Sequence, residues 1–252
     1  MKRARVIFHG ARHTATDEGA QLRLDDGRLV EEAEVTWLPP VEPRTVFAVG
    51  LNYADHAKEI ASRPQDELLI FLKGPNAIAG HRASTVRPAG VKFMHYECEL
   101  AVVIGRPARR VSPADARAHV AGYTVANDYA VRDFLENYYR PNLRAKNRDA
   151  ATLLGPWLVD AGDVSDPMNL ELRTTVNGTV TQRGNTRNMI FDIDHLIAHL
   201  SSLMTLAPGD VILTGTPEGV VNVNPGDEVA TEIDGIGRLV GFIDADAAPP
   251  VA

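Results

Sequence analysis

Two glutamates in the stretch MHYECEL, residues 94 to 100, are one residue apart and lead into the apolar run LAVVIG. In a β-strand, residues i and i+2 point to the same face, so Glu97 and Glu99 are expected to stand side by side. Two carboxylates at this spacing repel each other, and one of them keeps its proton unless a cation lies between them. The pair therefore indicates either a solvated strand face or a cation site.

A third carboxylate, Asp128 in ANDYAVRD, lies where a predicted strand meets a predicted helix. Carboxylates from two strand ends form an oxygen-only ligand set, which suits magnesium, manganese or calcium better than zinc. Asp128 could instead cap a helix that begins near Tyr129. The sequence alone leaves both interpretations open.

Histidines supply two further candidate sites. His56 and Glu59 in NYADHAKEI share one face of a helical turn, and a carboxylate beside an imidazole makes it a stronger base for moving a proton. An exposed polar helix turn is the alternative. His195 and His199 are also spaced for one helix face, but no glutamate follows His195, so the HExxH metalloprotease motif is absent. We predict that this second pair belongs to the polar face of a helix.

Composition narrows the function classes. The chain has 252 residues, of which 44% are hydrophobic and 23% charged, and its net charge of −7 disfavours a nucleic-acid surface. No apolar run approaches the roughly 18 residues of a membrane span, and the apolar stretch near the N-terminus is too short for a signal peptide.

Cys98 is the single cysteine and alternates away from the glutamates, which predicts a place in the core. The stretch GTPEGV lacks the lysine-serine ending of a phosphate-binding loop, and no GxGxxG motif follows VFAVG. We therefore expect neither a phosphate-loop nucleotide site nor a dinucleotide-binding fold. We expect a cytoplasmic protein without nucleic-acid or membrane partners.

Short strand-like runs outnumber helical ones along the chain. Residues 1–42 are predicted to form a small β-rich segment that ends at a proline boundary, and residues 43–252 a catalytic domain. Asn177-Gly178 predicts a two-residue hairpin turn. Apolar residues three and four apart predict an amphipathic helix from Ile190 to Met204.

Six short motifs occur along the chain in the order that is typical of a known protein family. GLNYADHAKE, FLKGPN, HYECELAVVIG, GYTVANDYAVRD, RAKNRD and LTGTPEGV, spread over residues 45 to 243, resemble the fumarylacetoacetate hydrolase superfamily. The sequence is most similar to the branch that contains the C-terminal half, or separate subunit, of the isomerase/decarboxylase of homoprotocatechuate (4-hydroxyphenylacetate) degradation. The implied fold is mainly β with a few helices (α+β), a mixed β-sandwich roll that often forms a homodimer.

The resemblance also implies roles for single residues. A divalent cation, usually Mg²⁺ with Mn²⁺ or Ca²⁺ as alternatives, would bind Glu97, Glu99 and Asp128. The catalytic residues would be a dyad on a mobile lid, which we place at about residues 52 to 62, and a lysine near the metal: His56, Glu59 and Lys146. Thr216 would hold a substrate carboxylate, and Lys73 matches a further site lysine.

The implied reaction is decarboxylation or isomerisation of an unsaturated 2-oxo or 2-hydroxy di- or tricarboxylate from aromatic catabolism. A hydrolase of acylpyruvates or 1,3-diketone acids and an oxaloacetate decarboxylase are alternatives on the same fold, since each reaction develops an enolate. A non-catalytic small-molecule-binding β-domain is the remote alternative.

Basic residues cluster between Asp128 and Asp149. We predict that an arginine, whose fork matches a carboxylate bidentately, binds the substrate carboxylate furthest from the metal, the candidates being Arg132, Arg140 and Arg144. Arg144 and Lys146 are expected to share one face of an extended segment. Plain surface charge is the alternative.

Overall fold

The computed structural model describes residues 1–59, 67–135 and 142–247. The N-terminal segment contains five strands: β1 (Lys2–Phe8), β2 (Ala11–Asp17), β3 (Gln21–Leu24), β4 (Leu29–Glu31) and β5 (Thr36–Leu38). Strand β1 alternates, with Ala4, Val6 and Phe8 buried on one face. This is the period-two pattern of a strand with one side on the core.

The central part of the chain is built mainly from strands. They are β6 (Val46–Gly50), β7 (Leu69–Lys73), β8 (Ile78–Ala79), β9 (Ser84–Arg87), β10 (Met94–His95), β11 (Cys98–Ile104), β12 (Val120–Asp128), β13 (Ala130–Val131) and β14 (Thr152–Asp160). Among the described residues, two short α-helices interrupt them, α1 (Ala54–Glu59) and α2 (Leu143–Lys146).

The C-terminal part contains the longest α-helix of the described residues, α3 (Ile193–Leu203). Its strands are β15 (Glu171–Val176), β16 (Thr179–Asn185), β17 (Val211–Leu213), β18 (Glu228–Ile233) and β19 (Gly237–Ala245). No helix among the described residues is long and apolar enough to cross a bilayer.

Two main sheets organise these strands. The larger runs β4-β3-β2-β1-β14-β12-β11-β17-β6-β7, with β5 paired to β1 and β8 to β14, and the smaller runs β16-β15-β18-β19-β9. Strand β11 lies inside the larger sheet and is buried along its whole length, as its continuous apolar run predicts. Strand β12 and its other neighbour, β14, approach closely at Gly122, where a Cβ atom would lie 2.2 Å from the carbonyl oxygen of Val159. The mainly β fold class is confirmed.

Strand β1 pairs with β14, so the N-terminal strands continue the larger sheet. Ala4 and Val6 belong to the same apolar core cluster as Leu153 and Ile243 from the rest of the chain. The division into two units at residue 42 stays a prediction.

The hairpin predicted at Asn177-Gly178 is confirmed, and both residues have the positive φ of a tight turn, 50° and 79°. The helix predicted from Ile190 begins later, at Ile193, because the Asp192 side chain accepts a hydrogen bond from the backbone N–H of His195. Met204 lies just past its end.

Two local predictions around the candidate site were wrong. Strand β13 and a short 3-10 helix, Arg132–Phe134, follow Asp128 where a helix starting near Tyr129 was considered. Arg144 and Lys146 lie on helix α2 rather than on an extended segment. Residues 136–141, which include Arg140, are outside the described part of the chain.

Candidate active site

Three carboxylates converge inside the protein. Strands β11 and β12 pair so that Glu99 lies opposite Ala126, and the backbone N–H of Asp128 donates to the Glu97 carbonyl oxygen at 2.9 Å. One oxygen each of Glu97, Glu99 and Asp128 lies within 4.8 Å of the others, and all three residues are buried. The glutamates are therefore not on a solvated strand face.

Two lysines lie against this carboxylate cluster. The Lys146 ammonium donates to Glu97, and to Oδ2 of Asp128 at 2.9 Å. The Lys73 ammonium donates to Oδ1 of Asp128 at 2.6 Å and to the Lys146 carbonyl oxygen. Thr152 donates to the same Asp128 oxygen at 2.9 Å. Asp128 is thus held by three side chains from separate parts of the chain.

The two glutamates differ in their electrostatic environment. Burial, Asp128 and Glu97 raise the pKa of Glu99, although the Gly215 N–H donates to it at 2.6 Å. Burial would also raise the pKa of Glu97, but the Lys146 ammonium and other nearby cationic groups outweigh it and bring that pKa to about 2. Ionising all three carboxylates together thus requires additional positive charge. An all-oxygen cluster with this requirement fits a hard divalent cation.

The cluster opens into a cavity that is also lined by His56 of the predicted dyad. Nδ1 of His56 lies 3.0 Å from Oε2 of Glu59, both on α1, and the other Glu59 oxygen accepts from the Gly219 N–H at 2.8 Å. His56 is buried and lines the cavity together with other predicted site residues: Glu97, Glu99, Arg132, Lys146 and Thr216. An imidazole, two carboxylates and two cationic side chains therefore line one space, with Asp128 hydrogen-bonded to Lys146 behind it. Residues 60–62 of the predicted lid lie outside the described residues.

Arg132 is held by a histidine that the sequence analysis did not select. Its Nε donates to Nε2 of His95 at 2.7 Å, and Nδ1 of His95 lies 2.9 Å from the Tyr96 carbonyl oxygen. Burial, aided by Arg132, lowers the pKa of His95 to about 3. The imidazole is neutral, with its proton on Nδ1, and so can accept from Arg132.

Several residues considered in the sequence lie outside the cavity lining: the predicted site residues Lys73 and Arg144, and the residues that were not assigned to the site, His195, His199 and Cys98. Lys73 is buried against Asp128, as described above. Arg144 is exposed, and its guanidinium lies 4.4 Å from the ring centre of Phe134. His195 and His199 form a stacked pair on α3, with His195 exposed. Cys98 is buried in the core, which confirms its predicted place.

Sequence reasoning missed Thr152 and the Gly215 N–H besides His95. His95 carried a signal, since it precedes Glu97 by two residues and could share its side of the chain. Thr152 and Gly215 carried none, because their contacts depend on pairing between strands far apart in sequence.

Comparison with known proteins supports the family resemblance. The family model described as "Fumarylacetoacetate (FAA) hydrolase C-terminal" matches residues 45–243. The chain is 59% identical over 208 residues to the 4-hydroxyphenylacetate degradation bifunctional isomerase/decarboxylase of Salmonella dublin, a match that covers 82% of this chain and 48% of that protein. It therefore spans about half the length of this relative.

Two further proteins are matched over more of their length. The mitochondrial oxaloacetate tautomerase of Homo sapiens is 42% identical over 224 residues, which cover 85% of this chain and 71% of that protein. The crystal structure of 5-carboxymethyl-2-hydroxymuconate delta-isomerase from Mycobacterium smegmatis superposes with a TM-score of 0.85 at 38% identity, covering 98% of this chain and 100% of the other. Motif order, fold and these matches agree, and the chain belongs to the fumarylacetoacetate hydrolase family.

Proposed function

We propose that this protein is a metal-dependent enzyme that isomerises or decarboxylates an unsaturated 2-oxo or 2-hydroxy di- or tricarboxylate. The observation that supports the proposal is the shared cavity, which is lined by His56 of the dyad and by Glu97 and Glu99 of the buried carboxylate cluster. Support for the substrate class comes from the relatives named for 4-hydroxyphenylacetate degradation and for 5-carboxymethyl-2-hydroxymuconate isomerisation.

Glu97, Glu99 and Asp128 would hold one divalent cation, with Mg²⁺ the expected ion because all the ligand atoms are carboxylate oxygens. When bound, that ion would act as a Lewis acid and stabilise the negative charge that develops on the substrate. Lys146 would keep its ammonium beside Glu97 and Asp128. There it can donate to an oxygen of the substrate.

The dyad would move the proton. Glu59 accepts from Nδ1 of His56, so the proton of a neutral imidazole is held on Nδ1 and Nε2 remains the basic nitrogen. In isomerisation, His56 would take a proton from one carbon and return it to another. In decarboxylation, His56 would first take a proton from solvent at Nε2 and then give it to the carbon that has lost carbon dioxide.

Substrate carboxylates would be held by separate donors. Thr216 would bind the carboxylate next to the 2-oxo group, and Arg132, in the same cavity, would bind a more distant one. Since Arg132 is fixed by His95, its guanidinium offers a defined direction to an anion. This arrangement favours substrates with two or more carboxylates.

The experiment is an assay of the purified Mg²⁺-loaded protein against a panel of unsaturated 2-oxo di- and tricarboxylates, acylpyruvates and oxaloacetate. Release of carbon dioxide or migration of a double bond is expected. Cleavage of a C–C bond by water would favour the hydrolase instead, and a keto–enol change in oxaloacetate alone would favour a tautomerase. A protein that turns over none of these compounds, with or without metal, would overturn the proposal.

A homodimer in the cytoplasm is also part of this proposal. It is supported by the family resemblance and, for a reducing compartment, by the single buried cysteine. Sedimentation equilibrium tests the dimer, and a monomeric mass would contradict it. Cell fractionation tests the location.

A further inference from the structure

Gln182, on β16, is a buried amide whose hydrogen bonds reach the candidate active site. It is 1% exposed. Its Nε2 donates to Oγ1 of Thr216 at 2.9 Å and to the Pro217 carbonyl oxygen at 2.8 Å. Its Oε1 accepts from the Thr174 hydroxyl at 2.9 Å. The side chain therefore links the smaller sheet to the loop that carries Thr216.

The chemistry of these partners fixes which way the amide points. The carbonyl oxygen of Pro217 can only accept, so the NH₂ end of Gln182 must face it. The second N–H of the same group then points at Oγ1 of Thr216. The oxygen end is left for Thr174, which can donate. All three contacts agree with a single orientation of the amide.

This orientation determines what the Thr216 hydroxyl can do. A hydroxyl has one hydrogen and two acceptor sites, and one acceptor site of Thr216 is taken by Gln182. Among the described residues, no acceptor takes the Thr216 hydrogen. Thr216 lines the cavity, so its hydroxyl is arranged to donate to a group bound there.

We infer that Gln182 is a positioning residue that fixes the Thr216 hydroxyl as a hydrogen-bond donor to the substrate carboxylate. The inference rests on the proposed function, in which Thr216 binds that carboxylate. Gln182 itself does not touch the substrate. A purely structural role, in which Gln182 only ties β16 to Pro217, is the competing explanation.

A double-mutant cycle separates the two explanations. The probe is oxalate, which carries the carboxylate pattern of a 2-oxo acid, titrated calorimetrically into the full-length Mg²⁺-loaded protein. Gln182→Met is expected to weaken oxalate binding about fivefold to tenfold, the usual effect of one hydrogen bond. In the Thr216→Val background, the same substitution is expected to change affinity less than twofold, because the hydroxyl that it positions is gone.

A matched control accounts for lost stability. Leu172→Val, in the neighbouring strand β15, removes buried volume without touching the hydrogen bonds of Gln182 and should leave oxalate affinity unchanged. Gln182→Glu serves as a second variant should the methionine variant fail to fold. A glutamate accepts the Thr216 hydrogen and turns it from the cavity, so weaker binding is expected again.

Equal losses from Gln182→Met in the two backgrounds, or unchanged affinity in both Gln182 variants, would overturn the inference. A wild-type protein that does not bind oxalate would overturn it together with the carboxylate role of Thr216. A wild-type protein that binds oxalate but turns over no substrate would overturn only the proposed reaction.

Discussion

Oδ2 of Asp128 lies 2.9 Å from the ammonium nitrogen of Lys146, although one residue ends a nine-residue strand and the other ends a four-residue helix. The other Asp128 oxygen lies 2.6 Å from the Lys73 ammonium. Each carboxylate oxygen of Asp128 thus contacts an ammonium group, one from a residue before it in the chain and one from a residue after it. These contacts fix the position of the Asp128 carboxylate beside Glu97 and Glu99.

The first prediction concerns the carboxylate cluster. Glu99→Gln keeps the shape of the side chain but removes a charged oxygen, so Mg²⁺ affinity is expected to fall by at least about 100-fold, since even residues that only support metal ligands cost 10- to 100-fold. Isothermal calorimetry gives the affinity and circular dichroism checks the fold. Asp234→Asn, an exposed carboxylate in the turn between β18 and β19, is the control and should bind normally. Normal Mg²⁺ affinity in Glu99→Gln would refute the assignment.

The second prediction concerns the dyad. His56→Gln is expected to lower kcat by about 10²- to 10⁴-fold, the usual contribution of a positioned base, while Mg²⁺ affinity stays unchanged. Glu59→Gln should lower kcat less, because it removes only the partner of Nδ1. The two losses should be far from additive, because the residues act as one unit. His195→Gln, on α3 outside the cavity lining, is the control and should keep its activity. Full activity in His56→Gln would exclude the dyad from the reaction.

The third prediction separates two arginines. Arg132→Met is expected to raise KM for a dicarboxylate by about tenfold or more and to affect a monocarboxylate 2-oxo acid far less, because only the dicarboxylate has a second anion to lose. Arg144→Met should change neither value, since that guanidinium stacks on Phe134 outside the cavity lining. Steady-state kinetics on both substrates decides this. If Arg132→Met changes KM equally for the dicarboxylate and the monocarboxylate, Arg132 has a structural role.

The fourth prediction concerns pH and stability. Nδ1 of His81 accepts from the Val240 N–H at 3.1 Å, and burial, together with Arg82 and Arg238, lowers the pKa of His81 from 6.5 to about 4. At pH values between about 4 and 6.5, His81 binds a proton in the unfolded chain but not in the folded chain. The free energy of unfolding therefore falls as pH falls. The loss from this group reaches about 2 kcal/mol at pH 5 relative to pH 7 or above.

His81→Asn tests this contribution, because an asparagine oxygen can replace Nδ1 as the acceptor without titrating. Urea unfolding gives the free energy of unfolding at pH 7.5 and at pH 5. The difference between these two values should be smaller in His81→Asn than in the wild type by about 2 kcal/mol. His195→Gln, which removes an exposed imidazole, should retain the wild-type difference. An unchanged difference in His81→Asn would show that His81 does not cause the loss.

Local sequence patterns predicted the features that depend on local chemistry. The Glu97–Glu99 spacing, the Asn177-Gly178 turn and the core position of Cys98 follow from alternation and turn geometry, and the structure has all three. Motif order predicted the family. The start of α3 was missed because the cap at Asp192 outweighed the apolar spacing that reaches back to Ile190.

Contacts between residues far apart in sequence could not be predicted from local patterns. Lys73 meets Asp128 from 55 positions away, and Gly215 meets Glu99 from 116. Such pairs depend on which strands are neighbours in the sheet, and the order around β11 places β17 and β12 on its two sides. A sequence pattern does not encode that order directly, so the roles of Thr152, Gly215 and Gln182 became visible only in the folded chain.

Glu99 lies on β11 and Asp128 at the end of β12, inside the larger sheet, and Glu97 directly precedes β11. Arg132 and Thr216 lie outside the strands of this sheet, on a short 3-10 helix and in the loop after β17. Under the proposed function, substitutions around β11 would endanger folding and chemistry together, because the same strand serves both. Changes in the peripheral segments would alter the accepted molecule while the reactive centre is preserved. The proposed reactive centre and the proposed substrate contacts thus lie in different parts of the fold, which would allow one family to include proteins named for isomerisation, decarboxylation and tautomerisation.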